Sequence, residues 1–297
     1  MQDEPLTIVG WLWKGGGYTV ERANIWARLL DRQLTLPHRF VLVTDQPDAK
    51  FDPLIEPVPL WNDWRELKPA DWGSRPFCYP RLKVFSAEFG DILLGLGSQV
   101  SGLRSQESDT RHPTPNTQHL TPRFVSIDLD CLPLAPLDPL FERDEDFLII
   151  RRSPPIAKQR LGPYNASMFY MRAGARKNIW EEFKGRESMA AAARKYLGSD
   201  QSWLNFSLGT EKGWNQADGV YCFVDLYKTR AFKKSPPKDA RIIFFNGSIK
   251  PWGFSNDTYT FDYPWIGEHY NAVDGQQVSG NRQESMRDIS PMEGARL

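Results

Sequence analysis

Residues 6–45 place one stretch of helical periodicity between two short apolar runs, and few chain topologies satisfy that order. The run 6–13, LTIVGWLW, is almost wholly apolar and too short for a buried helix, so it reads as a strand leading through Lys14 into the flexible turn Gly15-Gly16-Gly17. Over residues 18–34 the apolar side chains of Ala23, Ile25, Trp26, Leu29 and Leu30 recur at helical spacing. Phe40-Val41-Leu42-Val43 then forms a second strand, closed by Thr44-Asp45. Together these predict a β-α-β unit with parallel strands. Open α/β sheets bind ligands beyond the carboxyl ends of their strands, so residues 13–18 and Asp45 are placed along one functional edge.

The alternation continues. Residues 51–80, rich in Pro and Trp, read as irregular with an edge strand at 54–58, and a helix is predicted over 80–89. Core strands are predicted at 124–127, 147–150, 164–171 and 241–245, with helices at 173–183 and 187–196. The fold class is therefore α/β: a mixed, mostly parallel central sheet flanked by helices. A chain of 297 residues with 40% hydrophobic content can bury one sizeable core. We expect one domain over 1–276, a mobile polar insertion at about 95–122, and a disordered polar tail over 277–297. There is no internal repeat.

Charge narrows the partners. Thirty-seven Lys and Arg balance 37 Asp and Glu, so nothing global favours nucleic acid or an anionic membrane, and an anionic ligand must be met locally. No run approaches the ~20 apolar residues of a transmembrane helix, and the acidic N-terminus lacks the basic start of a secretory signal. Cys78, Cys131 and Cys222 form no CxxC pair, so a reduced, cytoplasmic setting is expected. The sequons at Asn165, Asn205, Asn246 and Asn256 then have no secretory context.

The residues with the sharpest chemistry are Asp128 and Asp130, two positions apart and just past the apolar strand 124–127. Carboxylates so spaced can turn toward one point, and such hard oxygen ligands suit Mg or Mn. A solvated acidic turn is the competing reading of the pair alone.

The surroundings add weight to the metal reading. FVSIDLDCLPLAPLDPLF resembles the aspartate motif of GT-A glycosyltransferases, in which a strand ends in Asp-x-Asp, and five further segments resemble that group in the same order, particularly its family 8 and related bacterial and phage members. These are the N-terminal strand with Trp13, Lys14 and Tyr18, followed by Val43-Thr44-Asp45; the basic helix YPRLKVF; GPYNASM, similar to the group's "fNsGvml" strand; SDQSWLN, similar to its "DQdxlN" helix; and GSIKPW, similar to its "GxxKPW" ending. Together they span most of residues 6–253.

The resemblance implies a GT-A fold and metal-dependent sugar transfer from a nucleotide-sugar, with UDP as the expected nucleotide. Asp128 and Asp130 would hold Mn or Mg, and the metal would neutralise the leaving diphosphate. Arg81, whose planar fork suits phosphate, is the first candidate for the diphosphate and Lys83 the reserve; either could instead be a basic residue lying over an apolar helix face. Lys250 would neutralise the β-phosphate in the turn begun by Gly247, against the alternative of a solvated turn lysine. Asp200 and Gln201 would lie beside the transferred sugar, or cap the helix they open. Asn165 would bond sugar hydroxyls, or satisfy nearby backbone. Tyr18 and Asp45 would meet the base, by stacking and hydrogen bonding respectively, while Tyr18 could equally be a packing residue; Trp13 would line the same edge.

One position departs from the family pattern. A histidine metal ligand is expected just before the glycine of "GxxKPW", and here Asn246 stands there, able to offer only an amide oxygen. None of His38, His112, His119 and His269 falls in the motif. The same departure suits a binder of nucleotide-sugar or glycan that turns over slowly. A nucleotidyltransferase is disfavoured, because no glycine-rich phosphate loop precedes a basic motif. The sequence leaves open the donor sugar, the acceptor, the stereochemical outcome and the oligomeric state.

Overall fold

In the computed structural model, strand β1 (Leu6–Leu12) is buried along its whole length because both of its faces are covered. Leu6, Ile8 and Leu12 enter one apolar cluster, while Val9, Trp11 and the following Trp13 enter another, as the two-residue period of a strand requires. Residues 5–14, 17–67, 78–100, 121–152, 160–247, 249–253 and 262–273 are described. The predicted tail over 277–297 and most of the predicted insertion lie outside these residues.

Helix α1 (Val20–Asp31) follows, capped by Thr19, whose side chain accepts from the Arg22 N–H. Its buried face carries Ala23, Ile25, Trp26, Ala27, Leu29 and Leu30. Trp26 lies against β1 at Gly10, where an added Cβ would come within 2.7 Å of the indole, so a glycine is needed for the close approach. Burying side chains of this size stabilises by roughly 1.5–3 kcal/mol each. β2 (His38–Thr44) pairs parallel with β1, and β3 (Ile55–Pro59) pairs parallel with β2 at the sheet edge. The predicted unit and edge strand are thus present.

The helix predicted over 80–89 is two elements. Tyr79–Phe85 is a 3₁₀ helix with Pro80 in its first turn; Ser86 is extended (φ −75°, ψ 156°), and α2 (Ala87–Val100) starts afresh. The polar stretch beginning at 95 therefore opens as helix rather than loop. β4 (Arg123–Ile127) pairs parallel with β1 on the side away from β2. β6 (Phe147–Arg151) and β7 (Tyr164–Arg172) complete a six-stranded sheet of order β3-β2-β1-β4-β7-β6, in which β7 runs antiparallel to both of its neighbours.

The strand predicted at 241–245 is present as β9 (Ile242–Phe244), but it belongs to a second, smaller sheet of order β5-β9-β8, whose other strands, β5 (Cys131–Pro133) and β8 (Val220–Cys222), the sequence did not show. Strands of three residues are too short to show a period. The helix predicted over 173–183 shrinks to α4 (Asn178–Glu181), because Gly174 (φ +79°) starts a turn instead. α3 (Asp138–Phe141), α5 (Arg186–Ala193), α6 (Asp200–Ser207), α7 (Phe223–Thr229) and α8 (Pro264–Asn271) complete the helices used below. Among the described residues no helix is long and apolar enough to cross a membrane.

Candidate functional site

The carboxyl ends of β1, β2 and β4 meet where the sheet order changes direction, and Lys14, Asp45 and Asp128 stand just past them. Such a switch point opens the crevice in which α/β sheets hold ligands. Asp128-Leu129-Asp130 is the crossing from the large sheet to the small one. The Asp128 N–H donates to the Ser167 carbonyl on β7 (2.9 Å), and the Asp130 carbonyl accepts from the Phe245 N–H just past β9 (2.9 Å). Leu129, 3% exposed, enters the core, while Asp128 is paired with Arg81, and Asp130 with Tyr18 and Lys250.

Each carboxylate meets a cation. Arg81 Nη1 lies 2.9 Å from Asp128 Oδ1, and Arg81 Nε lies 3.4 Å from Asp200 Oδ2 in an ion pair without hydrogen-bond alignment. Its Nη2 donates to the Ala166 carbonyl (3.0 Å), and its guanidinium stands 5.6 Å from the centre of the Trp11 ring. Burial alone would lower the Arg81 pKa, but Asp128 and Asp200 more than reverse this and hold it above its ordinary value. Burial raises the Asp128 carboxyl most, Arg81 pulls it back and Asp130 lifts it again, leaving it at about 6.

On the other carboxylate, Asp130 Oδ2 accepts from the Tyr18 hydroxyl (3.0 Å) and from Lys250 Nζ, and Lys250 Nζ also lies 3.0 Å from the Tyr18 oxygen. Burial, then the charge of Asp130, raises the Tyr18 phenol well above its ordinary pKa, so it stays a donor. The Tyr18 ring packs edge to face with Trp252, at 5.6 Å between centres. Tyr18, expected at the base, is thus seated at the carboxylates.

A cleft of about 180 Å³ opens on the Arg81–Asp128 side, walled by Arg81, Asp128, Ala166, Ser167, Gly198, Ser199, Asp200, Gln201 and Asn246. That is smaller than the ~300–1,000 Å³ of sites for drug-sized ligands, and suits one ring of a larger ligand. Asp200 opens α6 without capping it: no side chain caps this helix, and Asp200 Oδ1 accepts instead from the Ser199 hydroxyl (2.9 Å). Gln201 Oε1 accepts from the Ala166 N–H (3.4 Å). Asn165 is fully buried; its Oδ1 accepts from the Ser167 N–H (3.0 Å), and its Nδ2 reaches Cys222 Sγ and Asn246 Oδ1, each at 3.4 Å. Asn246 Nδ2 donates to the Ser167 hydroxyl (3.0 Å). Gly247 turns the chain out of this wall at φ +70°, a conformation that favours glycine.

Four expected residues make contacts within the protein that the sequence did not show. Arg81 stands in the cleft wall and is paired there with Asp128, Asp200 and the Ala166 carbonyl, so it orients both carboxylates. Lys83 points away, pairing with Asp63 (2.8 Å) and Glu88 (3.2 Å). Trp13 is buried against Trp11, with ring centres 6.1 Å apart, and is no part of the cleft wall. Asp45 accepts from the Lys14 N–H through both oxygens (3.1 and 3.3 Å), which fixes the turn after β1. His269 is exposed on α8, and His38 bonds Leu36 and Asp31.

Ser167 and Ser199 escaped the sequence reading. Ser167 follows Asn165 by two residues on β7, so the strand period was the signal that could have found it. None of the three cysteines is in a disulfide. Burial pushes Cys78 up to about 12 and Cys222 up to about 11, so neither supplies a thiolate nucleophile.

The donor set bears on a metal. Among the described residues no three or more His, Cys, Asp or Glu side chains cluster to hold one. Asp128 and the amide of Asn246 line the cleft, Asp130 stands close enough to raise the Asp128 pKa, and all three carry hard oxygens of the kind Mg and Mn take. Three carboxylates, Asp128, Asp130 and Asp200, face two cations, Arg81 and Lys250, so one negative charge is left over. These residues fit a divalent cation.

Sheet order, the antiparallel β7 and the aspartate crossing between two sheets are those of the GT-A fold, the nucleotide-diphospho-sugar transferase architecture of glycosyltransferases. Among solved structures the chain is similar to the galactosyltransferase LgtC in complex with donor and acceptor sugar analogues, at 14% identity and a TM-score of 0.51, over 91% of this chain and 95% of that one. An active-site mutant of LgtC matches with the same figures. The apo form of the glycosyltransferase GlyE of Streptococcus pneumoniae TIGR4 matches at 11% identity and a TM-score of 0.49, over 91% of this chain and 62% of that one. No protein-family model and no curated protein matches the chain.

Proposed function

We propose that this protein transfers a sugar from a nucleotide-diphosphate donor, UDP-sugar by preference, to an acceptor hydroxyl. The observation that carries this reading is the convergence of Asp128, Asp130, Asp200, Gln201, Asn246 and Lys250 at the switch point of a GT-A sheet. LgtC, which shares the fold, has been seen with donor and acceptor sugar analogues, and this supports a sugar ligand here.

Asp128 and Asp130, with the Asn246 amide, would hold Mg or Mn, which when bound offsets the charge building on the departing diphosphate. Lys250, beside Asp130, would supply a second positive charge to the β-phosphate. Asp200 and Gln201 line the sugar-sized cleft and would take its hydroxyls. Arg81 holds Asp128 and Asp200 in position, and Asn165 braces Asn246 from behind. Asp45, at the edge beyond β2, is the candidate for the base. The cytosol, where thiols stay reduced, is the compartment this reading expects.

The test is release of UDP from a panel of UDP-sugars, together with the melting shift caused by Mn and UDP. A ligand at ~100 times its Kd stabilises the folded state by about 2.7 kcal/mol. Asp128→Ala or Asp130→Ala should abolish that shift; a full shift in both variants would refute the assignment. A second reading, a slow nucleotide-sugar or glycan binder, is favoured by Asn246, whose Oδ1 is already engaged by Asn165. It predicts saturable UDP binding with no release from any donor.

A further inference from the structure

We infer that Lys250 gates the cation position: its ammonium and a divalent cation compete for Asp130, so the cation binds well only when a diphosphate draws the ammonium away. The inference rests on the proposed metal role of Asp128 and Asp130.

Asp130 Oδ2 is already shared by the Tyr18 hydroxyl and the Lys250 ammonium, and the Asp130 side chain is only 7% exposed. A divalent cation on that carboxylate would stand beside a like charge with little water to screen it. One of the two must leave. Arg81, the other cation, cannot yield, since it is tied to Asp128, Asp200 and the Ala166 carbonyl.

Lys250 is built to yield. Its side chain is 21% exposed and sits in a turn between two residues of positive φ, Gly247 (+70°) and Gly253 (+87°). The base of the turn is held firmly. The Trp252 ring lies 5.6 Å from Tyr18 and 5.9 Å from Tyr270, with the Arg22 guanidinium 5.2 Å from its centre. The four-carbon stem of Lys250 can therefore swing while its backbone stays anchored.

Charge balance makes the exchange cooperative. With one negative charge in excess, the site repels a diphosphate arriving alone; with Lys250 on Asp130, it resists a cation arriving alone. Arriving together, the cation takes Asp130 and the ammonium takes the phosphate. Coupling of this kind is reciprocal, so UDP and the cation must tighten each other equally.

The experiment measures Mn²⁺ binding to the full chain, by the electron paramagnetic resonance of free Mn²⁺ and by calorimetry, with and without UDP. UDP should tighten Mn²⁺ by about tenfold or more, within the usual range of coupling. Lys250→Met should tighten Mn²⁺ alone by about tenfold and remove most of the coupling, while Lys250→Arg, which keeps the charge, should leave Mn²⁺ alone as weak as in the parent. The inference is overturned if Lys250→Met leaves the affinity for Mn²⁺ alone unchanged or lower while the coupling persists. Failure of the underlying metal reading looks different. Mn²⁺ then fails to bind even with UDP, or binds undiminished after Asp128→Asn and Asp130→Asn together, and either result overturns both.

Discussion

Arg81→Ala puts the electrostatic frame of the site to its strongest test. The guanidinium, 11% exposed, is the main positive charge between the carboxylates of Asp128 (23% exposed) and Asp200 (7% exposed). Its removal does more than delete two ion pairs: Asp128 and Asp200 are left facing each other, with Asp130 nearby and little solvent to screen them. Breaking a buried pair by taking one partner costs about 3–5 kcal/mol, because the stranded charge must still be accommodated. For a chain of this size that is on the order of 6–20 °C of melting temperature. Denaturant unfolding in chelated buffer should show the loss as a lower midpoint at unchanged slope. The double mutant Arg81→Ala/Asp200→Asn carries one stranded carboxylate fewer, so it should recover more than about 1 kcal/mol relative to Arg81→Ala, a non-additivity expected of groups in contact. A loss below about 1 kcal/mol for Arg81→Ala, or additive losses in the pair, would show that the carboxylates do not depend on this arginine.

Three further outcomes separate the site from its surroundings. Lys83→Ala should cost under about 1 kcal/mol and leave UDP affinity within about twofold, because Lys83 only joins the half-exposed Asp63 and the exposed Glu88; a tenfold loss of affinity would return it to the phosphate. Asn205→Ala should destabilise by about 1–3 kcal/mol in thermal unfolding and weaken donor binding, since its amide satisfies both the N–H (2.8 Å) and the carbonyl (3.1 Å) of Tyr164, next to Asn165. Asp225 is raised by burial, only partly offset by Lys228 and Arg152, so the folded state holds its proton more tightly than the unfolded chain does. That penalty acts above the raised pKa and vanishes below the unfolded value, so Asp225→Asn should raise the melting temperature near pH ~8 and leave it unchanged near pH ~3; the reverse pattern would mean that the ionised carboxylate is stabilising.

How much was legible in the sequence depended on the range over which each signal acts. The β1-α1-β2 unit was readable because its apolar pattern is local: Ala23, Trp26 and Leu30 announce a helix face without knowledge of what covers it. The small sheet was not: β9 was readable as a strand, but β5 and β8 are three residues each, and the three come together from positions 131, 220 and 242. Their pairing carries no local period. The same distinction runs through the site. Asp128, Asp200, Gln201 and Lys250 were singled out because each lies in a short segment resembling a known motif; the structure lines one cleft with the first three and sets Lys250 on Asp130. The partners were misjudged wherever a contact spans the chain. Tyr18 meets Asp130 across 112 residues and Lys250 meets the same oxygen across 120, and no spacing rule links them. Arg81 shows the consequence most clearly. As an isolated basic residue on a helix it reads as a phosphate binder, and the sequence does not show that it also pairs with the partly buried Asp128 and the buried Asp200. The positive charge still able to turn to an incoming diphosphate then belongs to Lys250, and only by releasing Asp130. On the proposed reading, donor and cation binding are for that reason one event rather than two.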